Sequence, residues 1–153
     1  MARVNSGVSP TFLADQHLIA EQVELLMIPG ALKKRNWTFK SDIPKKLVLG
    51  KGHMTFWYNK LLYLHRRHEE VKKEVARRGF KVTDLSFDLD NYPRELLNDW
   101  RPTMEDSQLI RIRIAERIKA KNKIFWRYNG NYIDLPDLEH YINALITSPL
   151  HYV

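Results

Sequence analysis

The sequence predicts an all-α fold: a single compact domain of three main helices plus a short C-terminal helix. In three long segments, apolar residues recur every three or four positions, and typical helix start and stop residues flank these segments. The length of 153 residues fits one domain, 1–153. Residues 111–114 alternate like a strand, but rows of residues four apart extend beyond them and favour a helix.

The first helix is predicted over residues 10–28. Ser9 is a good N-cap, Pro10 suits the first turn, and Pro29-Gly30 is expected to end the helix. Glu24 falls on a mostly polar face of this helix. The apolar residues recur at spacings of 7, 4 and 3 and are expected to face the core: Phe12, Ile19, Val23 and Leu26.

The longest helix is predicted from a cap at Thr55 to a Schellman-type stop at Gly79-Phe80. It follows a short basic loop over residues 31–50. Its expected core positions recur at spacings of 4, 3, 4, 3 and 4: Trp57, Leu61, Leu64, His68, Val71 and Val75.

The remaining helices follow an acidic connector over residues 81–101. A third helix is predicted over Met104–Lys121, with an apolar row and a parallel basic row of residues four apart. An aromatic segment over residues 125–128 precedes a short helix near Pro136–Ile146.

Charge is distributed unevenly along the chain, whose formal net charge is +7. Residues 27–82 carry 15 basic and 4 acidic side chains, and residues 107–127 carry 7 and 1. Such segments are typical of proteins that bind a polyanion, although basic helices can also be merely solvated. The absence of cysteine excludes disulfides, thiolate catalysis and cysteine-ligated zinc.

Few local motifs point to chemistry by themselves. There is no Walker-type phosphate loop and no G-x-S-x-G serine motif. His65 and His68 have a metal-ligand spacing, but the two arginines between them disfavour a dication, so no metal is expected. Glu21 and Glu24 could act as paired carboxylates, although two glutamates on one helix are more often solvated.

Two blocks of sequence carry a family resemblance. One is Ala14-Asp15-Gln16-His17-Leu18 with a glutamate seven residues after its histidine, and the other runs from Leu49 to Leu61 as LGKGHMTFWYNKL. Together with Arg3-Val4-Asn5, Arg78-Gly79-Phe80 and Trp126-Arg127-Tyr128, they resemble the phage-type pyrimidine-dimer DNA glycosylases, the UV-repair endonuclease V family. The resemblance covers residues 2–130 in order and leaves 131–153 as a C-terminal extension.

The resemblance implies an all-α glycosylase that also cleaves abasic sites and needs no metal or cofactor. It implies that the nucleophile is the α-amine of Ala2, exposed by removal of Met1, and that Glu24 is the catalytic carboxylate. An amine attacks carbon only when neutral. An α-amine is about 10–20% neutral at pH 7, against about 0.04% for an ordinary lysine. Arg3 further favours the neutral amine.

The resemblance also implies a partner, double-stranded DNA containing damaged bases, for a protein expected to be a monomer without a membrane anchor. The expected location is the cytoplasm, that of the host if a phage encodes the chain. The residues expected to contact DNA are Arg3, Gln16, His17, Lys33, Lys34, Arg35, Arg113, Arg117, Lys121, Trp126 and Tyr128.

The sequence departs from the family beside Glu24. The family usually has arginines one residue before and two or three after this glutamate, where this chain has Val23 and Leu26-Met27. The leading hypothesis is excision of UV-induced cyclobutane pyrimidine dimers followed by strand cleavage. Two alternatives stay open: the same chemistry on another damaged or modified base, and a basic DNA-binding protein without turnover.

Overall fold

The computed structural model describes residues 3–121 and 126–153. The bounds of the helices are α1 Asp15–Glu24, α2 Met27–Lys34, α3 His53–Trp57, α4 Leu61–Arg77, α5 Met104–Ala120 and α6 Leu135–Thr147. Three short 3-10 turns lie at Pro10–Phe12, Leu89–Asn91 and Arg94–Leu96. Strands β1 (Arg127–Tyr128) and β2 (Asn131–Tyr132) form an antiparallel sheet. One cluster of buried apolar side chains joins all six helices.

The purely all-α prediction is therefore wrong, because β1 and β2 pair as a hairpin between α5 and α6. Its turn residues, Asn129 and Gly130, have φ angles of 53° and 84°. An Asn-Gly pair readily adopts this left-handed conformation, which matches the twist of a two-residue hairpin. The Asn129-Gly130 pair is the sequence signal for this hairpin, but the prediction for this region rested on the aromatic residues that precede it.

The expected count of three main helices is also wrong, because the first predicted helix is two. α1 ends at Glu24 and α2 begins at Met27. Pro29 lacks the N–H that would donate to the carbonyl of Leu25, and its ring crowds that carbonyl. Pro29 lies instead in the first turn of α2, where no such bond is required. Ser9 caps the 3-10 turn, not α1.

The buried face of α1 differs from the predicted one. Ile19 and Val23 are exposed, and the core side of the helix carries Leu18 with the polar residues Glu21 and Gln22. Spacing alone favoured the apolar residues for the core. Buried hydrogen-bond partners allow the polar residues to occupy it instead.

The later helices agree more closely with prediction. The Schellman stop is confirmed, since Phe80 N–H donates to Val75 O and Gly79 N–H to Ala76 O. The core positions expected in the longest helix are buried, although a break at residues 58–60 separates α3 from α4. The predicted bounds of α5 and α6 are each within one residue of the observed ones. Thr103 and Asp106 form a capping box that starts α5.

A buried ion pair fixes the start of the described chain. Arg67 on α4 donates through Nε and Nη2 to both carboxylate oxygens of Glu21 (2.8 and 3.0 Å), and both side chains are fully buried. Asn5 donates to the same carboxylate through its backbone N–H (3.1 Å) and its side-chain amide (2.8 Å). Arg67 Nη1 also donates to Val8 O (2.6 Å). Residues 5–8 are thus attached to both α1 and α4.

A second buried arginine attaches the end of the chain to its beginning. Arg111 on α5 donates to Gly7 O (3.0 Å) and to four carbonyls of residues 145–149. Gly7 has a φ of 78°, and a Cβ there would lie 2.6 Å from the Cβ of Ser107. This close approach requires glycine. The predicted C-terminal extension therefore packs on the same segment that Glu21 anchors.

None of the helices in the described ranges combines the length and the apolar character needed to cross a bilayer.

Substituting Arg67 should destabilise the fold strongly. Arg67→Met leaves the buried carboxylate of Glu21 without its cation, which costs about 3–5 kcal/mol of unfolding free energy. Urea denaturation measures the loss. The matched control is Lys72→Met on the same helix, which removes a partly exposed pair with Glu69 and should cost about 1 kcal/mol or less. Equal losses in the two variants would contradict the role given to the buried pair.

Candidate active site

A cavity of about 430 Å³ lies where the start of the chain meets α1, the end of α5 and the residues before β1. Its lining residues are Arg3, Gln16, His17, Arg117, Ala120, Lys121 and Trp126. All but Ala120 were predicted from the sequence to contact DNA. A larger cavity of about 540 Å³ lies between α5 and α6, but none of the predicted site residues lines it. Six of the predicted DNA-contact residues therefore meet at the smaller cavity.

Glu24 lies beside this cavity, paired with one of its lining residues. The Nε of Arg3 is 3.3 Å from Glu24 Oε2, and the two side chains are 29% and 21% exposed. The contact is an ion pair without hydrogen-bond geometry, since Glu24 Oε2 accepts no hydrogen bond from any described residue. The carboxylate thus keeps acceptor capacity at a partly open position.

The structure separates the two candidate carboxylates of α1. Glu21 is fully buried and its two oxygens accept from Arg67 and Asn5, so it has a structural role. Glu24 is half-buried and reaches Arg3. A pair of carboxylates sharing one reaction is not formed, which leaves Glu24 as the carboxylate available for chemistry.

His17 forms part of the cavity wall as a neutral imidazole. Its ring stacks on Trp126 with centroids 4.7 Å apart. Burial, together with the charges of Arg3, Arg117 and Arg113, lowers the pKa of His17 to about 3. Its Nδ1 is buried without a hydrogen-bond partner among the described residues. The ring is therefore uncharged at neutral pH.

Three arginines crowd the same region. Burial lowers the pKa of Arg113 to about 10, with contributions from Arg117 and Arg3. Burial and the charge of Arg3 likewise lower the pKa of Arg117. Together these guanidinium groups create a strongly positive electrostatic potential in a region that is partly shielded from water. An anion bound there would favour the charged form of each guanidinium, and a phosphate would fit their donor geometry.

Trp126 and Tyr128 both take part in the fold around the cavity. Trp126 is buried, and its indole N–H donates to Ile118 O (3.2 Å). The Tyr128 hydroxyl donates to Thr11 O (2.6 Å), and the guanidinium of Arg78 lies 4.2 Å above its ring. Neither contact tests a direct role in DNA binding, which stays a prediction for both.

The other predicted residues divide by position. Lys121 lines the cavity at the end of α5, whereas Lys33, Lys34 and Arg35 are exposed at the end of α2 and do not line it. Ala2, the predicted nucleophile, lies outside the described residues, as do Met1 and residues 122–125.

Sequence reasoning missed the residues that hold the site together. Asp15 accepts from the backbone N–H groups of Asn129 and Gly130 and from Arg78, which secures the hairpin beside the cavity. Arg67 lies in the sequence between His65 and His68, which have the spacing of metal ligands. The histidine of this pair on the apolar face, His68, makes a core contact with Gln22 O (2.8 Å). Within residues 3–121 and 126–153, no group of three or more His, Asp or Glu could hold a metal.

The neutral state of His17 predicts a pH-dependent stability. The folded pKa of about 3 is below the ordinary 6.5, so the unfolded chain binds the extra proton between these values. The contribution of neutral His17 to the free energy of unfolding is fully present above pH 6.5 and is lost as the pH drops towards 3. From pH 7 to pH 4 the wild-type protein should lose up to about 3 kcal/mol more unfolding free energy than His17→Gln. Parallel pH profiles of urea denaturation for the two proteins would contradict this.

Comparison with known proteins gives a family match for the first part of the chain. A family model described as pyrimidine dimer DNA glycosylase matches residues 1–88, more than half of the 153-residue chain. The matched segment contains Arg3, His17 and Glu24, whereas Arg113 and Arg117 on α5 lie beyond it. The chain therefore belongs to the pyrimidine dimer DNA glycosylase family.

Proposed function

We propose that the protein excises UV-induced cyclobutane pyrimidine dimers and cleaves the strand at the resulting abasic site. The observation that carries the proposal is the position of Glu24, paired at 3.3 Å with Arg3 at the edge of a cationic cavity. The residue bonded to Arg3 is Ala2. An α-amine at Ala2 is the proposed nucleophile, and Glu24 is the proposed acid–base partner.

The anchoring of residues 3–8 supports this pairing. Asn5 is bound to Glu21 by two hydrogen bonds, and Val4 is fully buried. Neighbouring Cα atoms are about 3.8 Å apart, so an amine one residue before Arg3 can lie only a few ångströms from it. Removal of Met1 is part of the proposal, because a retained methionine would shift the amine by one residue.

The proposed reaction begins with attack of the neutral Ala2 amine on C1′ of the damaged nucleotide. The C1′–N bond to the base breaks, and the departing base takes the electron pair and then a proton. Loss of a proton from the new amine and opening of the sugar ring give an imine between the amine and C1′. The carboxylate of Glu24 stabilises the positive charge that develops on the sugar and accepts or returns these protons.

Strand cleavage follows from the imine. Glu24 removes a proton from C2′, the C3′–O bond breaks, and the 3′ phosphate leaves with the electron pair. Water then hydrolyses the imine, which restores the amine and frees the enzyme; the sugar, now an unsaturated aldehyde, stays attached to the upstream strand through its 5′ phosphate. No external oxidant or reductant is required, since each step moves only protons and electron pairs.

The three arginines near the cavity are the proposed phosphate contacts. Arg3 and Arg117 line the cavity together with His17, and the charges of all three arginines lower the pKa of His17. Extrusion of a nucleotide from the duplex requires that the backbone on either side be held. Lys121 extends this group along α5, and Lys33, Lys34 and Arg35 would form a second group of contacts on α2.

The same chemistry on a different damaged or modified base is the second candidate. It is favoured by one observation: Val23 and Met27, next to the catalytic carboxylate, are exposed apolar residues. Nicking of irradiated plasmid compared with a panel of oxidised, alkylated and hypermodified substrates would separate the two candidates.

Borohydride trapping tests the amine chemistry. The protein, shown by intact mass to start at Ala2, should form a covalent adduct with an abasic oligonucleotide under borohydride, because borohydride reduces the imine. Acetylation of the terminus should abolish both the adduct and cleavage. Adduct formation that survives acetylation would exclude Ala2, and retarded DNA without any adduct would indicate a binding protein without turnover.

Glu24→Gln should lower the rate of abasic-site cleavage by about 100-fold or more, since acid–base catalysis contributes roughly that much. Single-turnover cleavage of an abasic oligonucleotide measures the rate. The matched control is Glu95→Gln in an exposed 3-10 turn, which should cleave at the wild-type rate. A wild-type rate in Glu24→Gln would remove this residue from the mechanism.

Arg117→Gln should weaken binding to all DNA sequences and make binding less dependent on salt. Loss of one phosphate contact reduces the slope of log K against log salt by about 0.9. Fluorescence anisotropy at several salt concentrations measures both quantities. Arg94→Gln, an exposed arginine of the connector, is the control, and an identical slope in the two variants would contradict a phosphate contact at Arg117.

A further inference from the structure

An exposed apolar stripe lies on the helix that carries Glu24. Ile19, Val23 and Met27 are 39%, 57% and 46% exposed and follow one another at intervals of four residues. Leu25 and Leu26, between α1 and α2, are also right-handed helical, so the spacing keeps all three on one side. These three residues are called the exposed stripe below.

The exposed stripe borders the proposed catalytic group. Val23 precedes Glu24 directly, and Glu24 is paired with Arg3 at the edge of the cavity. Single exposed apolar residues are common on protein surfaces, but a row of them beside a candidate active site marks a contact surface. The core of the protein does not use these side chains, since α1 turns Leu18 and Glu21 inwards.

The charges around the exposed stripe indicate what it contacts. Arg3 is paired with Glu24, the residue that follows Val23, and the exposed Lys33 and Lys34 occupy the last turn of α2 beyond Met27. A partner must therefore combine negative charge with apolar surface. Double-stranded DNA with bases displaced from their stack presents both, whereas intact duplex presents phosphates and base edges but covers the base faces.

We propose that the exposed stripe contacts unstacked bases beside the lesion and thereby selects distorted DNA over intact duplex. The inference rests on the proposed function, since it takes the substrate to be DNA with a damaged site. Apolar side chains placed against base steps are a common means of holding unstacked or kinked DNA. The contact involves no charge, so it releases no counterions and contributes equally at low and high salt.

Two shape-conserving substitutions test the proposal. Val23→Thr and Met27→Gln replace apolar atoms by polar ones at nearly constant volume. Each should weaken binding to a duplex with a cyclobutane dimer by about three- to tenfold. Binding to the undamaged duplex should change by less than about twofold, and the slope of log K against log salt should not change. Anisotropy with Glu24→Gln as the common background measures binding without turnover.

The control is Leu85→Gln, an exposed leucine of the connector, which should bind both duplexes as the background protein does. Val23→Arg should raise affinity for both duplexes and steepen the salt slope by about 0.9, which lowers the preference for damaged DNA. Unchanged unfolding midpoints would show that these surface variants are folded.

Three outcomes would overturn the proposal. One is an equal loss of affinity for damaged and undamaged duplex, and another is no loss for either. The third is a change in the sedimentation of the DNA-free protein with unaltered DNA binding, which would make the exposed stripe a self-association surface. A wild-type protein that forms no borohydride adduct with abasic DNA would instead contradict the proposed function, whatever the binding ratios are.

Discussion

The fully buried ion pair between Glu21 and Arg67 is the interaction on which the rest of the structure depends. It joins α1 to α4, and through Asn5 and Val8 it fixes the segment that leads to Arg3. A buried charge pair is costly unless each group is fully hydrogen-bonded, and here both carboxylate oxygens are. This ion pair also fixes the position of Glu24. Because Glu21, three residues earlier, is held in the core, α1 presents Glu24 next to Arg3.

The candidate site concentrates positive charge where water is partly excluded. Arg3 and Arg117 line the cavity with His17, the charges of these two arginines and of Arg113 help to keep His17 neutral, and its ring stacks on Trp126. This arrangement disfavours the charged form of each guanidinium and favours the binding of an anion. Under the proposed function, the sugar–phosphate backbone of DNA would be that anion, and the neutral imidazole adds no further repulsion to the cluster.

Only part of the candidate site lies in the segment of the chain that matches the family model. Residues 1–88 match the family model and include the carboxylate side of the site. The arginines of α5 and the hairpin lie outside that match, yet Asp15 and Gln16 of α1 bind the hairpin backbone directly. The two parts of the chain therefore complete one cavity.

The sequence by itself determined α5, α6 and the end of α4, because the spacing of apolar residues and the Gly79 stop act over one or two turns. Motif resemblance and the basic row of the third helix also indicated six residues that line the cavity, and the resemblance indicated Glu24 beside it. Only the tertiary structure decided which face of α1 is buried: apolar spacing favoured Ile19 and Val23, but Arg67, distant in sequence, draws Glu21 into the core. Partners that are remote along the chain leave no periodic signal, so local patterns could not distinguish the structural glutamate from the accessible one.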